Sequence, residues 1–267
     1  MRAFVLTGGG SLGAWQVGQL QALLKAGITP DLLVGSSVGA MNAAAVAEEP
    51  SPAGVERLTE VWRRVVRDTV LPRWTWKRVG AFGRKALFPS MGIRRLIEDN
   101  LVARRFEDLA VPLHVVATSL ETGAARTLSE GSLVEAILAS TAIPGIYPPI
   151  KLDGERLVDG AISDNLPVGV AVGAGADEIY VLAASSRCPP PGRLEHLHDV
   201  LLYSVSVLLR PSTEQLAACF APAAKVIVLP STCPFPVGPF DFSRTEDLIA
   251  ESSRQATAFL VAKTPAA

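Results

Sequence analysis

The stretch Gly35-Ser36-Ser37-Val38-Gly39 has the pattern Gly-x-Ser-x-Gly and stands between two contrasting segments. Residues 31–34, Asp-Leu-Leu-Val, predict a short buried strand before it, and the small residues 39–47 predict a helix after it. A sharp turn from strand to helix lifts a serine hydroxyl out of the fold, and glycines on either side keep the turn free of clashes. The N-terminus of the helix adds partial positive charge near the serine oxygen. This context predicts that Ser37 is a nucleophile rather than one member of an ordinary Gly/Ser turn.

A glycine-rich turn, Gly8-Gly9-Gly10-Ser11-Leu12-Gly13, precedes this motif. It lies between an apolar strand at 3–6 and an amphipathic helix at 14–26. Backbone N–H groups of such a turn can close on a developing negative charge. We therefore expect the amides of Gly8, Gly9, Gly10 and Ser11 to form an oxyanion hole for Ser37.

The same turn also matches the Gly-x-Gly-x-x-Gly pattern of dinucleotide-binding proteins, at Gly8, Gly10 and Gly13. That alternative requires an acidic residue at the end of the second strand to hold a ribose hydroxyl. Asp31 has the required spacing but begins that strand instead of ending it. A nucleotide-binding function is thus the weaker interpretation.

A serine nucleophile needs a proton acceptor, and the chain offers three histidines and one well-placed aspartate for that role. His114 lies in a buried-strand pattern, whereas His196 and His198 follow a proline-rich segment and would suit the Ser-Asp-His order of α/β-hydrolases. Asp159 ends a short strand at a glycine turn, which presents a carboxylate as the first turn presents Ser37. Asp159 is the preferred base, and a Ser-His-Asp triad remains the alternative.

The order of these blocks resembles the patatin-like phospholipases. The resemblance is carried by residues 8–13, by 35–43 with its Ala-x-Asn-Ala continuation, and by Asp-Gly-Ala at 159–161 with Asn-x-Pro after it. It extends from residue 2 to about residue 184, and Phe240-Asp241-Phe242-Ser243 looks like the closing element of the family. Leu12 departs from the pattern, because the family usually has a basic residue there.

The resemblance implies a serine acyl hydrolase that cleaves lipid esters through a two-residue dyad. Ser37 would be the nucleophile and Asp159 the base, with the amides of the first glycine block as oxyanion hole. The remaining motif residues would be Gly13, Gly35, Gly39, Gly160 and Ala161. No cofactor or metal is expected.

Length, net charge and cysteine content limit the classes of protein that the chain can belong to. A chain of 267 residues can bury one large core, so we expect a single domain over residues 1–267. The net charge of −1 gives no field that would favour nucleic acid. Three widely spaced cysteines predict neither a disulfide framework nor a metal motif, which suits a reducing cytoplasm. We expect neither a signal peptide nor a membrane span.

The remaining chain alternates apolar strand patterns with helical ones. Strands are predicted at 113–118, 178–183 and 225–229, and helices at 55–67, 93–101, 133–139, 167–174, 196–209 and 245–261. Near-continuous apolar strands are typical of parallel sheets that are buried on both faces. The sequence therefore predicts an α/β fold: a three-layer α/β/α sandwich with a mostly parallel central sheet.

Residues 62–88 interrupt this alternation with aromatic and basic side chains. They include Trp62, Trp74, Trp76, Phe82 and Phe88, together with eight arginines and lysines against one acid. Such a mixture suits the surface of an anionic membrane, although an ordinary segment with rings inward and cations outward has the same composition. Peripheral membrane contact through residues 62–88 is one expectation, and a nucleic-acid site is not expected there.

Overall fold

The computed structural model describes residues 1–71, 86, 88–184, 200, 203–204, 207 and 218–263. Within these residues, eight strands form one sheet: β1 (Arg2–Leu6), β2 (Leu32–Ser36), β3 (Leu113–Ser119), β4 (Ala125–Leu128), β5 (Ile150–Leu152), β6 (Glu155–Asp159), β7 (Glu178–Leu182) and β8 (Lys225–Val228). Hydrogen-bonded neighbours follow the order β5-β6-β3-β2-β1-β7-β8, and β4 also pairs with β3. The pairs along β3-β2-β1-β7-β8 are all parallel, which confirms the mostly parallel sheet.

Helices alternate with these strands. They are α1 (Gly13–Lys25), α2 (Val38–Glu48), α3 (Pro52–Arg64), α4 (Arg67–Val70), α5 (Met91–Asn100), α6 (Leu133–Ser140), α7 (Ala161–Asp164), α8 (Val168–Gly173) and α9 (Thr245–Lys263). The helix predicted at 55–67 is divided into α3 and α4. Of the helix predicted at 196–209, the described residues Val200, Tyr203, Ser204 and Val207 are helical.

Hydrophobic side chains fill both faces of the sheet. On β1, Phe4 and Leu6 join the larger core with α1, α2 and α6, whereas Ala3 and Val5 join a smaller core with α8. Successive strand residues point to opposite faces, so a strand whose residues are nearly all apolar is buried on both sides. This arrangement is the layered α/β structure that the sequence predicts.

Strands β2 and β6 meet end to end along one edge of β3. Val116 pairs with Ser36 of β2 on one side and with Thr127 of β4 on the other. The next residue, Ala117, pairs with β4 and with Asp159 of β6. Because β4 occupies one edge of β3, β2 and β6 must share the opposite edge. The carboxyl ends of these two strands therefore converge next to Ser37.

Several expectations for the segment 62–88 change in the structure. Trp62 and Phe88 are buried in the larger core, so these two rings do not face a membrane. Trp62 is placed there by the spacing of the buried residues of α3, which include Val55 and Leu58. Trp74, Trp76 and Phe82 lie outside the described residues. Among the described residues, no helix is long and apolar enough to cross a membrane.

The cysteines also differ from expectation at one position. Cys233 is disulfide-bonded, a single bond that the sequence, which predicted no disulfide framework, did not indicate. Wide spacing along the chain did not reveal this bond, because spacing carries no information on the distance between side chains in the fold. Cys219 is free and exposed.

Candidate active site

Ser37 occupies the turn between β2 and α2, where its backbone is strained. Its φ of 55° and ψ of −128° put a non-glycine residue in a sparsely populated conformation, as is common at functional sites. Tight contacts explain the two flanking glycines: a Cβ at Gly35 would lie 2.6 Å from the Cα of Ala40, and one at Gly39 would lie 2.3 Å from the carbonyl oxygen of Leu6. The turn is thus held by packing that only glycine permits.

The hydroxyl of Ser37 is bonded directly to the carboxylate of Asp159. Ser37 Oγ donates a hydrogen bond of 2.7 Å to Asp159 Oδ2, and both residues are buried. The second carboxylate oxygen, Oδ1, accepts from the backbone N–H of Ala161 at 2.9 Å. Burial raises the pKa of Asp159 to about 6, although the bonds from Ser37 and Ala161 oppose that rise. A carboxylate with this pKa is ionised at neutral pH and is basic enough to act in proton transfer.

Gly160, next to the aspartate, has no space for a side chain. A Cβ there would lie 2.0 Å from the carbonyl oxygen of Val116 and 2.8 Å from Ser36 Oγ. This close approach of the backbone to β3 lets β6 end beside the serine turn. The Asp-Gly-Ala motif therefore has a steric basis.

Ser140, at the end of α6, connects the two sides of the site and was not anticipated from the sequence. Its hydroxyl accepts from the backbone N–H of Ser37 at 2.8 Å and donates to the carbonyl oxygen of Val116 at 2.6 Å. Its carbonyl oxygen accepts from the N–H of Gly160 at 3.2 Å. The signal available in the sequence was a serine at the end of the apolar helical run 133–139. The structure buries it fully, and a buried hydroxyl requires hydrogen-bond partners.

The glycine turn at 8–13 has two of its expected donors already engaged. Gly8 N–H donates to Asn165 Oδ1 at 2.7 Å, and Ser11 N–H donates to the carbonyl oxygen of Pro239 at 2.8 Å. In the part of the chain that the structure describes, the N–H groups of Gly9 and Gly10 have no hydrogen-bond acceptor. They remain as the donors of the expected set that an incoming oxyanion would meet.

Asn165 holds the turn rather than the following helix. The helix that follows it, α8, starts at Val168 with Pro167 as its N-cap and has no side-chain capping bond. The side chain of Asn165 instead accepts from Gly8, which lies far away in sequence. The residues next to Asn165 in the sequence give no indication of this long-range contact.

A network of buried polar side chains forms hydrogen bonds to the end of the glycine turn at Gly13. Asn42 Nδ2 donates to the carbonyl oxygen of Gly13 at 3.0 Å and to Gln16 Oε1 at 2.9 Å, and its Oδ1 accepts from Trp62 Nε1 at 2.9 Å. Gln16 Nε2 then donates to the carbonyl oxygens of Thr7 and Leu182. This network explains the asparagine of the Ala-x-Asn-Ala block, since its amide joins α1, α2 and α3. Leu12 is partly buried against the larger core.

The site opens into a cavity of about 1000 Å³. Gly10, Ser37 and Val38 line it at the catalytic end. Further apolar walls come from α2, α3, α5 and α6, and from Phe240 and Phe242. A cavity of this size and character accommodates a large apolar ligand.

The structure bears on the two alternatives that the sequence left open, nucleotide binding and a Ser-His-Asp triad. Asp31 is exposed at the start of β2, where its Oδ2 accepts from the N–H of Arg2, so it lies at the wrong end of the strand to hold a ribose. His114 lies within β3, and burial lowers the pKa of its imidazole. His196 and His198 lie outside the described residues. The direct bond between Ser37 and Asp159 requires no histidine between them.

Comparisons with known proteins show which family and which solved structures this chain is similar to. The family model described as "Patatin-like phospholipase" matches residues 4–172. Patatin-like phospholipase domain-containing protein 7 of Rattus norvegicus is 32% identical over 187 residues, which are 69% of this chain and 14% of that protein. Lysophospholipase nte1 of Aspergillus terreus is 30% identical over 190 residues, 68% of this chain and 12% of that protein. The chain therefore spans only about a seventh of the length of these relatives.

Solved structures show the same fold. VipD from Legionella pneumophila matches with a TM-score of 0.53 and 14% identity, covering 98% of this chain and 67% of that one. Human GIVD cytosolic phospholipase A2, in complex with methyl gamma-linolenyl fluorophosphonate, matches with a TM-score of 0.52 and 14% identity, covering 98% and 58%. The family match covers the strand-turn-helix units that carry Gly8, Ser37 and Asp159, and this chain belongs to the patatin-like phospholipase family.

Proposed function

We propose that the protein is a serine acyl hydrolase that cleaves the carboxylic esters of lipids through a Ser37–Asp159 dyad. The observation that carries the proposal is the 2.7 Å hydrogen bond from Ser37 Oγ to Asp159 Oδ2 at the wall of a large apolar cavity. A nucleophile and a base in direct contact are the minimal machinery for covalent acyl transfer. Metal ions and cofactors have no part in the proposed reaction.

The first half of the reaction forms an acyl-enzyme. Ser37 Oγ attacks the ester carbonyl carbon while its proton passes to Asp159 Oδ2. The carbonyl oxygen becomes an oxyanion, which the N–H groups of Gly9 and Gly10 would bind, aided by the N-terminus of α2. When the tetrahedral intermediate collapses, the ester C–O bond breaks. The proton on Asp159 then moves to the departing alkoxide, which leaves as an alcohol.

The second half returns the enzyme to its starting state. Water attacks the acyl carbon and gives one proton to Asp159. The second tetrahedral intermediate collapses, the bond to Ser37 Oγ breaks, and the proton returns from Asp159 to the serine. A fatty acid is released, and no proton or electron is left unaccounted for.

The names of relatives support a lipid substrate. They include patatin-like phospholipase domain-containing proteins and a lysophospholipase, and a linolenyl fluorophosphonate is bound to the cytosolic phospholipase A2 of similar fold. The apolar walls around Ser37 fit such an acyl group. The proposal also includes peripheral contact with anionic membranes near residues 62–88, where Arg63, Arg64 and Arg67 are exposed.

The test is hydrolysis of nitrophenyl esters and phospholipids, with free fatty acid as the readout. The parent and a His196→Ala/His198→Ala double variant should release fatty acid at similar rates, whereas Ser37→Ala should lose several orders of magnitude in kcat. Comparable activity in Ser37→Ala would overturn the assignment. Loss in the double histidine variant, without unfolding, would favour the Ser-His-Asp triad.

A further inference from the structure

One face of α2 leads away from the nucleophile and forms part of the cavity. Met41, Ala45 and Glu48 line the cavity at intervals of about one helical turn, beginning from Ser37. With a rise of about 1.5 Å per residue, Ala45 lies about 12 Å along the axis from Ser37, and Glu48 about 16 Å. The residues of α2 that line the cavity therefore extend along this helix from the end beside Ser37.

Between Ser37 and Glu48, the residues of α2 that line the cavity are apolar except Asn42. Met41 and Ala45 are only partly buried, although both pack against the larger core. Leu58 and Val61 of α3 and Ile97 of α5 line the same cavity. Partly exposed apolar side chains facing a shared cavity are stabilised when an apolar ligand covers them.

A fixed carboxylate lines the cavity at the end of α2 that lies away from Ser37. Glu48 Oε1 accepts hydrogen bonds from the backbone N–H groups of Val102 and Ala103, at 2.8 and 2.6 Å. These bonds hold the side chain in place, so it does not easily move aside for a longer ligand. Asp99 and Arg104 line the cavity too, and methylene groups gain little beside such charged groups.

We infer that the acyl chain of the substrate lies along α2, from Ser37 past Met41 and Ala45, and that Glu48 marks the end of its binding groove. The inference rests on the proposed function, because only an ester carbonyl at Ser37 fixes where the acyl chain begins. The inference also predicts the length of the acyl chain, because the groove accommodates a single unbranched chain of about twelve carbons. The segment Met41, Ala45 and Glu48 acts as a ruler for acyl-chain length.

The length follows from covalent geometry. With C–C bonds of about 1.5 Å and tetrahedral angles, an extended chain advances about 1.25 Å per carbon. The distance to Ala45 then corresponds to about ten carbons, and the distance to Glu48 to about thirteen, counted from the serine. Each methylene that enters an apolar groove should raise kcat/KM about three- to fourfold, and methylenes beyond Glu48 should add nothing.

The experiment measures kcat/KM for the nitrophenyl butyrate, octanoate, dodecanoate and hexadecanoate esters. In the parent, kcat/KM should rise with chain length as far as dodecanoate and not beyond. Ala45→Trp fills the groove, so the ratio of dodecanoate to butyrate hydrolysis should fall at least tenfold. Ala45→Leu should lower the same ratio to a smaller extent. This variant provides the test if the Ala45→Trp protein fails to fold. Ala258→Trp, on an exposed position of α9, is the matched control and should leave the ratio unchanged.

A second measurement is independent of turnover. In the Ser37→Ala protein, calorimetry should show that affinity for fatty acids rises as far as dodecanoate, and that adding Ala45→Trp removes this gain. Equal chain-length ratios in the parent and both Ala45 variants would overturn the groove assignment, while ester hydrolysis itself would still support the serine hydrolase. If fatty acids bind equally well with and without Ala45→Trp, the assignment is also wrong. If the parent hydrolyses none of the esters, the proposed function fails, and the binding series alone decides the groove.

Discussion

The ionisation of Asp159 links catalysis to stability at a single side chain. Its carboxylate is buried, and this burial raises its pKa from the ordinary value of 3.8 to about 6 in the folded protein. In the proposed mechanism the ionised form accepts the proton of Ser37, yet it is also the form that the buried site disfavours. The site therefore gains a stronger base at the expense of folding stability above pH 6.

This conflict predicts opposite effects of Asp159→Asn on activity and stability. Because the pKa is higher in the folded state, the folded protein binds more protons, and stability falls as pH rises from about 4 to about 6. Removing the charge should abolish ester hydrolysis and raise the free energy of unfolding by up to about 3 kcal/mol at pH 8, with little gain at pH 4. Urea unfolding at both pH values, together with an ester assay, measures this.

The matched control is Asp153→Asn, which changes an exposed aspartate at the tip of the β5–β6 hairpin. Its φ of 49° suits asparagine, so neither activity nor stability should change appreciably. In the parent, kcat/KM should rise with pH through about 6 and then level off. A rate that falls through that range, or an active Asp159→Asn enzyme, would contradict the assignment of Asp159 as base.

Ser140, the C-terminal residue of helix α6, holds the turn of the proposed dyad by a hydrogen bond, and the two ends of α6 can be compared by mutation. Ser140→Ala removes the acceptor for the N–H of Ser37 and the donor to Val116, which should misplace the strained serine turn. We expect kcat to fall about 10- to 100-fold with little change in KM, because small misplacements mainly affect the transition state. Steady-state kinetics on a soluble ester provide the measurement.

The control is Ser132→Ala, which removes the N-cap bond to Glu135 at the other end of α6. Loss of a cap should cost about 1 kcal/mol of stability and leave kcat unchanged. If the two serine variants lower kcat equally, Ser140 has only the structural role that any residue of α6 has.

The segment before α9 holds the glycine turn in place. Ser11 donates through its N–H to Pro239 and through its Oγ to Gly238, and a Cβ on Gly10 would lie 2.2 Å from the carbonyl oxygen of Pro239. Gly10 also has a φ of +60°, which disfavours a side chain. The C-terminal part of the chain is thus in contact with the proposed oxyanion donors, although it lies beyond the matched residues 4–172.

Gly10→Ala should therefore displace this contact and reduce kcat/KM by about 100-fold or more, the effect of losing an oxyanion donor. Gly123→Ala is the matched control: its φ is +72°, but a Cβ there would meet no atom within 4 Å. That variant should lose about 1–2 kcal/mol of stability from its backbone conformation and keep full activity. Equal activity of the two variants would show that the turn does not supply the oxyanion donors.

The sequence predicts the order of strands and helices along the chain better than any other feature of the fold. Near-continuous apolar runs locate β3, β7 and β8 to within about one residue. Such runs are typical of strands buried on both faces, as β3 and β7 almost wholly are, whereas β8 is partly exposed. Ser37 and Asp159 are identified because each follows a strand at a glycine turn, and both turns reflect local steric requirements. Local rules therefore find both residues of the proposed dyad.

Contacts between distant parts of the chain are what the sequence does not predict. Ser37 and Ser140 are 103 residues apart, and Ser11 and Gly238 are 227 apart, so no local pattern relates them. Trp62 shows the opposite problem, since composition suggested a membrane surface while the helical spacing of α3 already indicated a buried face. Periodicity is the more informative signal in that case, because it reflects the direction of each side chain.

Membrane contact through the rest of 62–88 stays a prediction for the molecule as a whole. Each basic residue near an anionic surface contributes about 1 kcal/mol, so the parent should sediment with anionic vesicles in low salt and less so in high salt. The test variant changes Arg73, Lys77 and Arg78 to Gln. The control variant makes the same change in net charge at exposed cations elsewhere, Arg95, Arg105 and Lys151. Equal binding by the two variants would remove this segment as a membrane contact.

Covalent labelling of Ser37 tests the central claim most directly. An alkyl fluorophosphonate reacts with an activated serine, and peptide mass spectrometry identifies the residue that carries the adduct. The Ser37–Asp159 dyad predicts one adduct, on the peptide region 35–39 at Ser37, that forms slowly in Asp159→Asn and is absent in Ser37→Ala. An adduct on Ser36 or on another serine, or an equal labelling rate in Asp159→Asn, would contradict it.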